Sequence, residues 1–591
     1  MPEKHSAPKE EKGGETVSAR ELATQEIDMI SEPNMPETDA ATSTPTATLP
    51  RNSIVERDEV QVRGALGTLR ERHLADRRTR EVSKLRRWTL RIFAFLVIMG
   101  PGIIVMVGDN DAGGVTTYAQ AGQAFGYSLL WLFPVLLVVL YVAQEMVGRL
   151  GSVTGVGHGK LLRERFGRFW AAFSVFDLFL LNFLTLLTEF IGIDLGFRYF
   201  GVPSYISVPA MAVALIAIVM GRQFYRWERL VFVMVGISML MLALPFITGS
   251  GRAPDWGRVV HDLVIPGVHG GLSTTAMIFI IGIVGTTIAP WQLFFQQGSV
   301  VDKRISTRFT NYERADTFVG SIFTNLQGAA LVIVGAMAFI GTKMFGGQSS
   351  ALHIANGLAH FVTPALGTAF AIVLLNAAMI GAATVTLASS YAIGDLFGVN
   401  ASLNSRPREA KGFYISYVIS VMAAGAIVLV PHLPLGLVNL GVQVLAGILL
   451  PSALGFLVLL CNDKELMGPW ANSPWVNVLA TLIVALLLQL SLVLTIGTIW
   501  TSVNITLVTV ITGIPVLVAT VVVGTVQRVK TGRWRADPID LERRKDWVTP
   551  PDVLTRQLPH SRGRNFVLGA MRIYLVVAMI LMVVSFVTLA H

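Results

Sequence analysis

The stretch GPGIIVMVGDNDAGGVTTYAQAG, residues 100–122, decides the fold. It is apolar enough to enter a bilayer, yet Asp109, Asp111, Gly113 and Gly114 interrupt it. From Gly102 to Phe125 the segment counts 24 residues, about one bilayer crossing at 1.5 Å per residue, and Asp109–Gly114 falls in its middle. A second stretch, IVGTTIAPWQLFFQQ at residues 283–297, is broken by Pro290, which has no amide to donate to the Thr286 carbonyl four residues upstream. Irregular backbone inside a bilayer is tolerated only where protein or a cavity satisfies the freed groups. A pair of such helices in corresponding halves of a chain points to a transporter's central site, and an intramembrane carboxylate is a functional hypothesis by default. Two acids without a basic partner speak for a cation and against a carboxylate-bearing substrate.

The rest of the 591-residue chain fits a polytopic membrane protein: it is 53% hydrophobic and 14% charged, with apolar runs recurring along its length. The single cysteine, Cys461, excludes an intramolecular disulfide and a multi-thiolate cluster. The net charge of +9 would suit nucleic acid, but its placement points to membrane topology, and no nucleic-acid partner is expected.

Thirteen spans can be drawn, near residues 100–125, 128–148, 169–196, 203–220, 230–248, 271–297, 316–341, 362–396, 412–431, 434–460, 475–498, 502–526 and 567–589. The short connection from Gly497 to Asn504 leaves twelve open as the alternative, with one late helix re-entrant. Alternate loops carry 26 Lys/Arg and the opposite ones four, namely Arg198, Arg252, Arg258 and Lys343. The positive-inside rule then puts the N-terminus in the cytoplasm, and the expected location is a bacterial plasma membrane. Residues 1–92 read as a disordered cytoplasmic tail ending in a basic juxtamembrane segment that meets anionic lipid. Residues 93–460 read as a ten-helix core, and residues 461–591 as peripheral helices with a basic cytoplasmic loop at 527–566. Because spans 1 and 6 are five crossings apart, the second copy is inverted. The expected fold is all-α, a LeuT-like 5+5 inverted repeat with discontinuous helices 1 and 6 plus two or three C-terminal spans.

These motifs resemble those of the natural resistance-associated macrophage protein (NRAMP) family of divalent-metal transporters, which carries Asp-Pro-Gly-Asn in span 1 and Met-Pro-His in span 6. Asp111-Ala112-Gly113-Gly114 stands where the first motif belongs, followed in register by Thr117 and Gln120-Ala121-Gly122, and Ala289-Pro290-Trp291 stands where the second belongs. LLTEFIG at residues 186–192 is similar to the family's third span, and Gln443-Val444 before Leu450-Pro451 to its tenth. The resemblance implies a metal site of Asp111, Gly114, Thr286, Ala289 and Gln443, with Asp109 as an outer-shell or vestibule group.

The departures from the pattern carry more information than the matches. The family's Asn is Gly114 and its Met thioether is Ala289. A soft sulfur ligand suits transition metals, whereas hard cations want oxygen. Mg²⁺ keeps several waters, so a roomier site of carboxylates and backbone oxygens suits it. The combination is similar to the family's magnesium-transporting branch, and Mn²⁺ also accepts oxygen ligands. The family's proton-coupled members use a span-6 histidine and an acidic pair in span 3. Here Trp291 follows Pro290, Gln296 stands at a later histidine position, and Glu189 is the one acid left, its partner position being Leu186. Trp291, Glu189 and Gln296 are therefore the candidates for gating or coupling. For each there is a plainer alternative: bulk in the bundle for Trp291, a polar lining for Gln296, and for Glu189 a structural carboxylate bonded to Thr384, Thr386, Ser389 or Ser390.

The sequence thus reads as an importer of divalent cations, Mg²⁺ and also Mn²⁺, working by alternating access without proton coupling. The metal is cargo and no cofactor is expected. A proton-coupled Mn²⁺/Fe²⁺ importer is the nearest alternative, and a membrane signalling protein on the same fold is the alternative of another class. No nucleophile motif, phosphate loop or multi-histidine site suggests an enzyme.

Overall fold

The computed structural model describes residues 101–220, 224–398, 408–431, 435–500 and 503–531, with short stretches between 542 and 577. The expected tail at 1–92, most of the loop at 527–566 and most of the thirteenth span at 567–589 lie outside the described residues.

The chain is helical throughout the described residues. The first span is two helices, α1 (Pro101–Gly108) and α2 (Ala112–Phe125), separated by Asp109, Asn110 and Asp111. Next come α3 (Leu132–Thr154), the short α4 (His158–Phe166), α5 (Arg168–Tyr199), α6 (Ser204–Met220) and α7 (Phe224–Ser238), which short turns of helix extend to Phe246. After the connecting helix α8 (Trp256–Val264), the sixth span is again two pieces, α9 (Thr274–Thr287) and α10 (Pro290–Asp302). The second half continues with α11 (Thr310–Phe339), the connecting α12 (Ala351–Phe361), α13 (Pro364–Phe397), α14 (Lys411–Val428) and α15 (Leu435–Cys461). Two further helices follow, α16 (Pro474–Ile499) and α17 (Ile505–Thr531). Twelve of the thirteen expected spans are thus present. α16 and α17 are two full-length helices rather than one being re-entrant, and Gln489 of α16 donates across the pair to the Thr509 carbonyl (2.8 Å).

The helices pack through small residues, since lipid tails supply no hydrophobic force between them. At the α9–α15 crossing Gly285 meets Gly447, and a Cβ at Gly447 would stand 2.6 Å from the Ile281 carbonyl. The outermost helix, α17, instead presents Val510, Ile514, Leu517 and Val521, all more than half exposed and three or four residues apart, a stripe that a bilayer solvates.

The end of the bundle that carries the Lys/Arg-rich connections is held by buried polar groups. Arg165, at the end of α4, is fully buried. Its guanidinium binds Asp463 and donates to the Val553 (3.1 Å) and Arg556 (2.8 Å) carbonyls, tying a segment far along the chain to the core. At the start of the same helix His158 donates from Nδ1 to Gln297 Oε1 (2.7 Å) and packs edge-on against Phe294. Burial pushes the His158 imidazole down from 6.5 to about 4, so it is neutral in the folded protein.

The unfolded chain takes up that proton first as pH falls. Stability is therefore full above pH 6.5 and declines between pH 6.5 and 4, by about 3 kcal/mol at most. The expected result is an unfolding temperature in detergent that falls over this window, with His158→Gln removing part of the fall. A fall of equal size in His158→Gln would place its cause elsewhere.

Candidate functional site

The two breaks face each other at the centre of the bundle, and the chemistry of the site begins with how each is capped. Asp111 is the N-cap of α2, with extended backbone (φ −68°, ψ 179°), and its Oδ1 accepts the Gly114 amide at 2.7 Å. Glu189 reaches the same helix end from α5 and accepts the Ala112 amide on Oε2 at 3.1 Å. Two carboxylates thus use the free amides and positive dipole of one helix N-terminus. Thr384, Thr386, Ser389 and Ser390 spend their hydroxyls on carbonyls of their own helix, so Glu189 takes its bonds from the Ala112 amide and the Thr188 hydroxyl instead.

Gly381 on α13 lets the two acids meet. A Cβ there would lie 2.5 Å from Glu189 Oε2 and 2.9 Å from Asp111 Cβ. Gly113 plays the same part opposite α15, where a Cβ would stand 2.9 Å from Gln443 Cδ. At Gly114 a Cβ would be 2.7 Å from Thr286 Oγ1 and 3.4 Å from both Asp109 O and Asp111 Oδ1. Asp111, Glu189, Thr286 and Gln443 therefore converge on the glycines of the first break. Ala289 caps α10 with extended backbone (φ −88°, ψ 144°), and its carbonyl accepts the Gln292 amide at 3.1 Å. Ala289 is the most exposed of these residues, at 5%, so the site is shut off from both faces.

Asp109 sits just beyond, at the end of α1, where Gln292 donates to its Oδ1. Gln292 in turn accepts from Gln144 Nε2 (2.6 Å). Trp291 is wholly buried and packs edge-on against Phe295. Gln296 pairs with Glu313 (2.8 Å) and Thr317 (3.0 Å) on α11, nearly two turns of α10 away from the break. The sequence reading missed Gly381, Gln144, Glu313 and two ties between the halves. These are Tyr118 Oη with Thr287 Oγ1 (2.7 Å), and Asn439 Nδ2 donating to the Gly113 carbonyl (3.2 Å).

Several buried groups at the centre have no hydrogen-bond partner: Asp109 Oδ2, Thr286 Oγ1 and Gln443 Nε2. Buried polar groups are paired in the great majority of cases, so such a concentration marks a place for a polar guest. Among the described residues no three side chains drawn from His, Cys, Asp and Glu are grouped as a metal-holding set. The acids are supplemented by neutral oxygens, which suits passage better than retention.

A broken-helix, inverted-repeat bundle with a sealed acidic centre defines an integral membrane transporter. The family model for natural resistance-associated macrophage protein-like chains matches residues 102–497, and the protein belongs to this family. The match runs one helix past the core end expected at residue 460. Family members are transporters, not enzymes. A divalent metal cation transporter, MntH, of Brucella suis is 29% identical over 444 residues, covering 71% of this chain and 91% of its own. MntH of Bacillus subtilis is 26% identical over 421 residues, covering 68% and 92%. The fold also matches the manganese transporter of Eremococcus coleocola, solved with an aromatic bis-isothiourea compound, with a TM-score of 0.56, 19% identity, and coverage of 79% of this chain and 97% of that one.

Gly381→Ala forces a methyl group against the Glu189 carboxyl, and overpacking of this kind costs about 1–3 kcal/mol. The expected outcome is a lower unfolding temperature in detergent; an unchanged value would mean that the two acids are not held together by the space at Gly381.

Proposed function

We propose that this protein imports divalent cations, Mg²⁺ foremost and Mn²⁺ as well, by alternating access through the centre formed by Asp111. The observation that carries the reading is the donor set. Asp111, Asp109 and Thr286 offer oxygen, and Ala289 stands where a thioether would favour a transition metal. Gly113 and Gly114 let Gln443 and the Thr286 hydroxyl approach the backbone beside Asp111. The relatives' description as divalent metal cation transporters supports the cation class. The basic connections face the cytoplasm in this reading, so the N-terminus lies inside.

The driving force is electrical. An inside-negative potential of about 100 mV contributes roughly 4.6 kcal/mol to the entry of a divalent ion, sizeable without proton help. The second reading is a proton-coupled Mn²⁺/Fe²⁺ importer. It is favoured by Glu189, a carboxyl set beside Asp111 and bonded to the next amide, where a proton could trade against the metal's charge.

Uptake into proteoliposomes with internal pH recorded in parallel decides between the two. The expected outcome is Mg²⁺ and Mn²⁺ entry without acidification, abolished in Asp111→Ala. Mn²⁺ entry with acidification and no Mg²⁺ entry would establish the second reading instead. Ala289→Met is expected to raise the Mn²⁺:Mg²⁺ rate ratio about tenfold, the order of one added ligand's preference. An unchanged ratio would undo the donor-set argument.

A further inference from the structure

Below the central site a ladder of amides and a second acid runs toward the basic end of the bundle. Gln292 and Gln296 are four residues apart on α10 and share a face, about 3 Å and 9 Å along the helix from Pro290. The upper rung is Asp109, Gln292 and Gln144. The lower rung is Gln296 with Glu313, whose Oε1 accepts from Gln296 Nε2 (2.8 Å) and from Thr317 Oγ1 (3.1 Å). Gly148, one turn past Gln144 on α3, leaves the room into which the Glu313 carboxylate fits, with its Cδ and both oxygens where a side chain would otherwise begin.

The ladder is rich in buried oxygens that receive no hydrogen bond: Asp109 Oδ2, Gln144 Oε1, Gln296 Oε1 and Glu313 Oε2. Leaving such an acceptor unpaired costs about 1–3 kcal/mol, so four in one file are not explained as packing. Glu313 itself is fully buried; the nearby Arg149 guanidinium is within electrostatic reach but pairs with Glu145. The neighbouring acids are committed elsewhere. Glu145 is bound by Arg314 (2.6 Å) and Arg149 (3.1 Å), and Asp316 accepts the Gly102 amide (2.8 Å).

We propose that Glu313 is a second, transient site for the transported divalent cation, a relay through which the ion passes after leaving Asp111 and Asp109. The proposal rests on the transporter reading above. An oxygen-lined file ending in one carboxylate gives a hydrated cation a favourable stop without a multidentate cage that would retain it. A clamp between helices is the competing account of the Gln296–Glu313 bond, and Glu313→Gln separates the two. The amide keeps an oxygen for Gln296 and adds a donor for the unpaired neighbours, so a clamp survives it while the charge is lost.

The test uses the full chain in proteoliposomes for Mn²⁺ uptake and in detergent for Mn²⁺ binding by calorimetry. For Glu313→Gln the expected result is a maximal uptake rate lowered about tenfold with Mn²⁺ affinity within about threefold of wild type, and Glu313→Asp recovering part of the rate. A wild-type rate in Glu313→Gln overturns the relay, as does an affinity that falls in step with the rate. Lost acidification at an undiminished Mn²⁺ rate also overturns it. If the unmutated protein neither binds nor moves Mn²⁺ or Mg²⁺, the transporter reading fails and the relay with it. Wild-type uptake beside an unaffected Glu313→Gln sinks the relay alone.

Discussion

Everything in this bundle depends on how a carboxyl group finds hydrogen-bond partners at the middle of a membrane. Asp111 and Glu189 solve it with the amides of one helix start: Gly114 donates to the first and Ala112 to the second. The break in the first span is therefore two devices at once. It frees amides that a continuous helix would consume internally, and it supplies the acids that satisfy them. The second break works by subtraction, because Pro290 has no amide to offer the Thr286 carbonyl one turn back in α9. One break brings negative side chains and the other brings backbone oxygen, and a cation can use both.

Glycine is what allows these pieces to close on one another. Gly381 admits the two acids, Gly113 admits Gln443, and Gly114 admits the Thr286 hydroxyl. In each case an added methyl group would occupy a position now held by a polar atom or by the side chain that carries it. The site is thus shaped by missing side chains as much as by present ones.

The architecture was legible because its signals are local. Apolar runs, an acid-and-glycine interruption and a proline each announce themselves within a few residues, and twelve spans and both breaks fall where they were expected. Asp111, Thr286 and Gln443 were legible through motif register. What the sequence hid are pairings between distant positions. Gly381 serves an acid on another helix, and Glu313 meets a glutamine from the span before it. Gln296 shows the limit well. Its register suggested gating or coupling, with a polar lining as the plainer alternative, and its side chain spends its amide on Glu313 and Thr317 of α11, a choice set by helix rotation rather than by spacing.

Along its described residues, Pro101–Gly108, α1 is fastened to one partner helix. Asp316 takes the Gly102 and Ile103 amides, Thr324 donates to the Met106 carbonyl, and Asn110, just past the helix end, donates to the Thr324 carbonyl and to Gln327. All of these anchors belong to one long rod, α11. The half-helix is a passenger on that rod, and the swivel lies at residues 109–111. Opening the bundle at its basic end requires either that α11 tilt and carry α1 along, or that this row of fastenings be unbuttoned first, at about 1 kcal/mol for each hydrogen bond given up. The lever arm of the machine is thus the thirty-residue α11, with α1 riding on it.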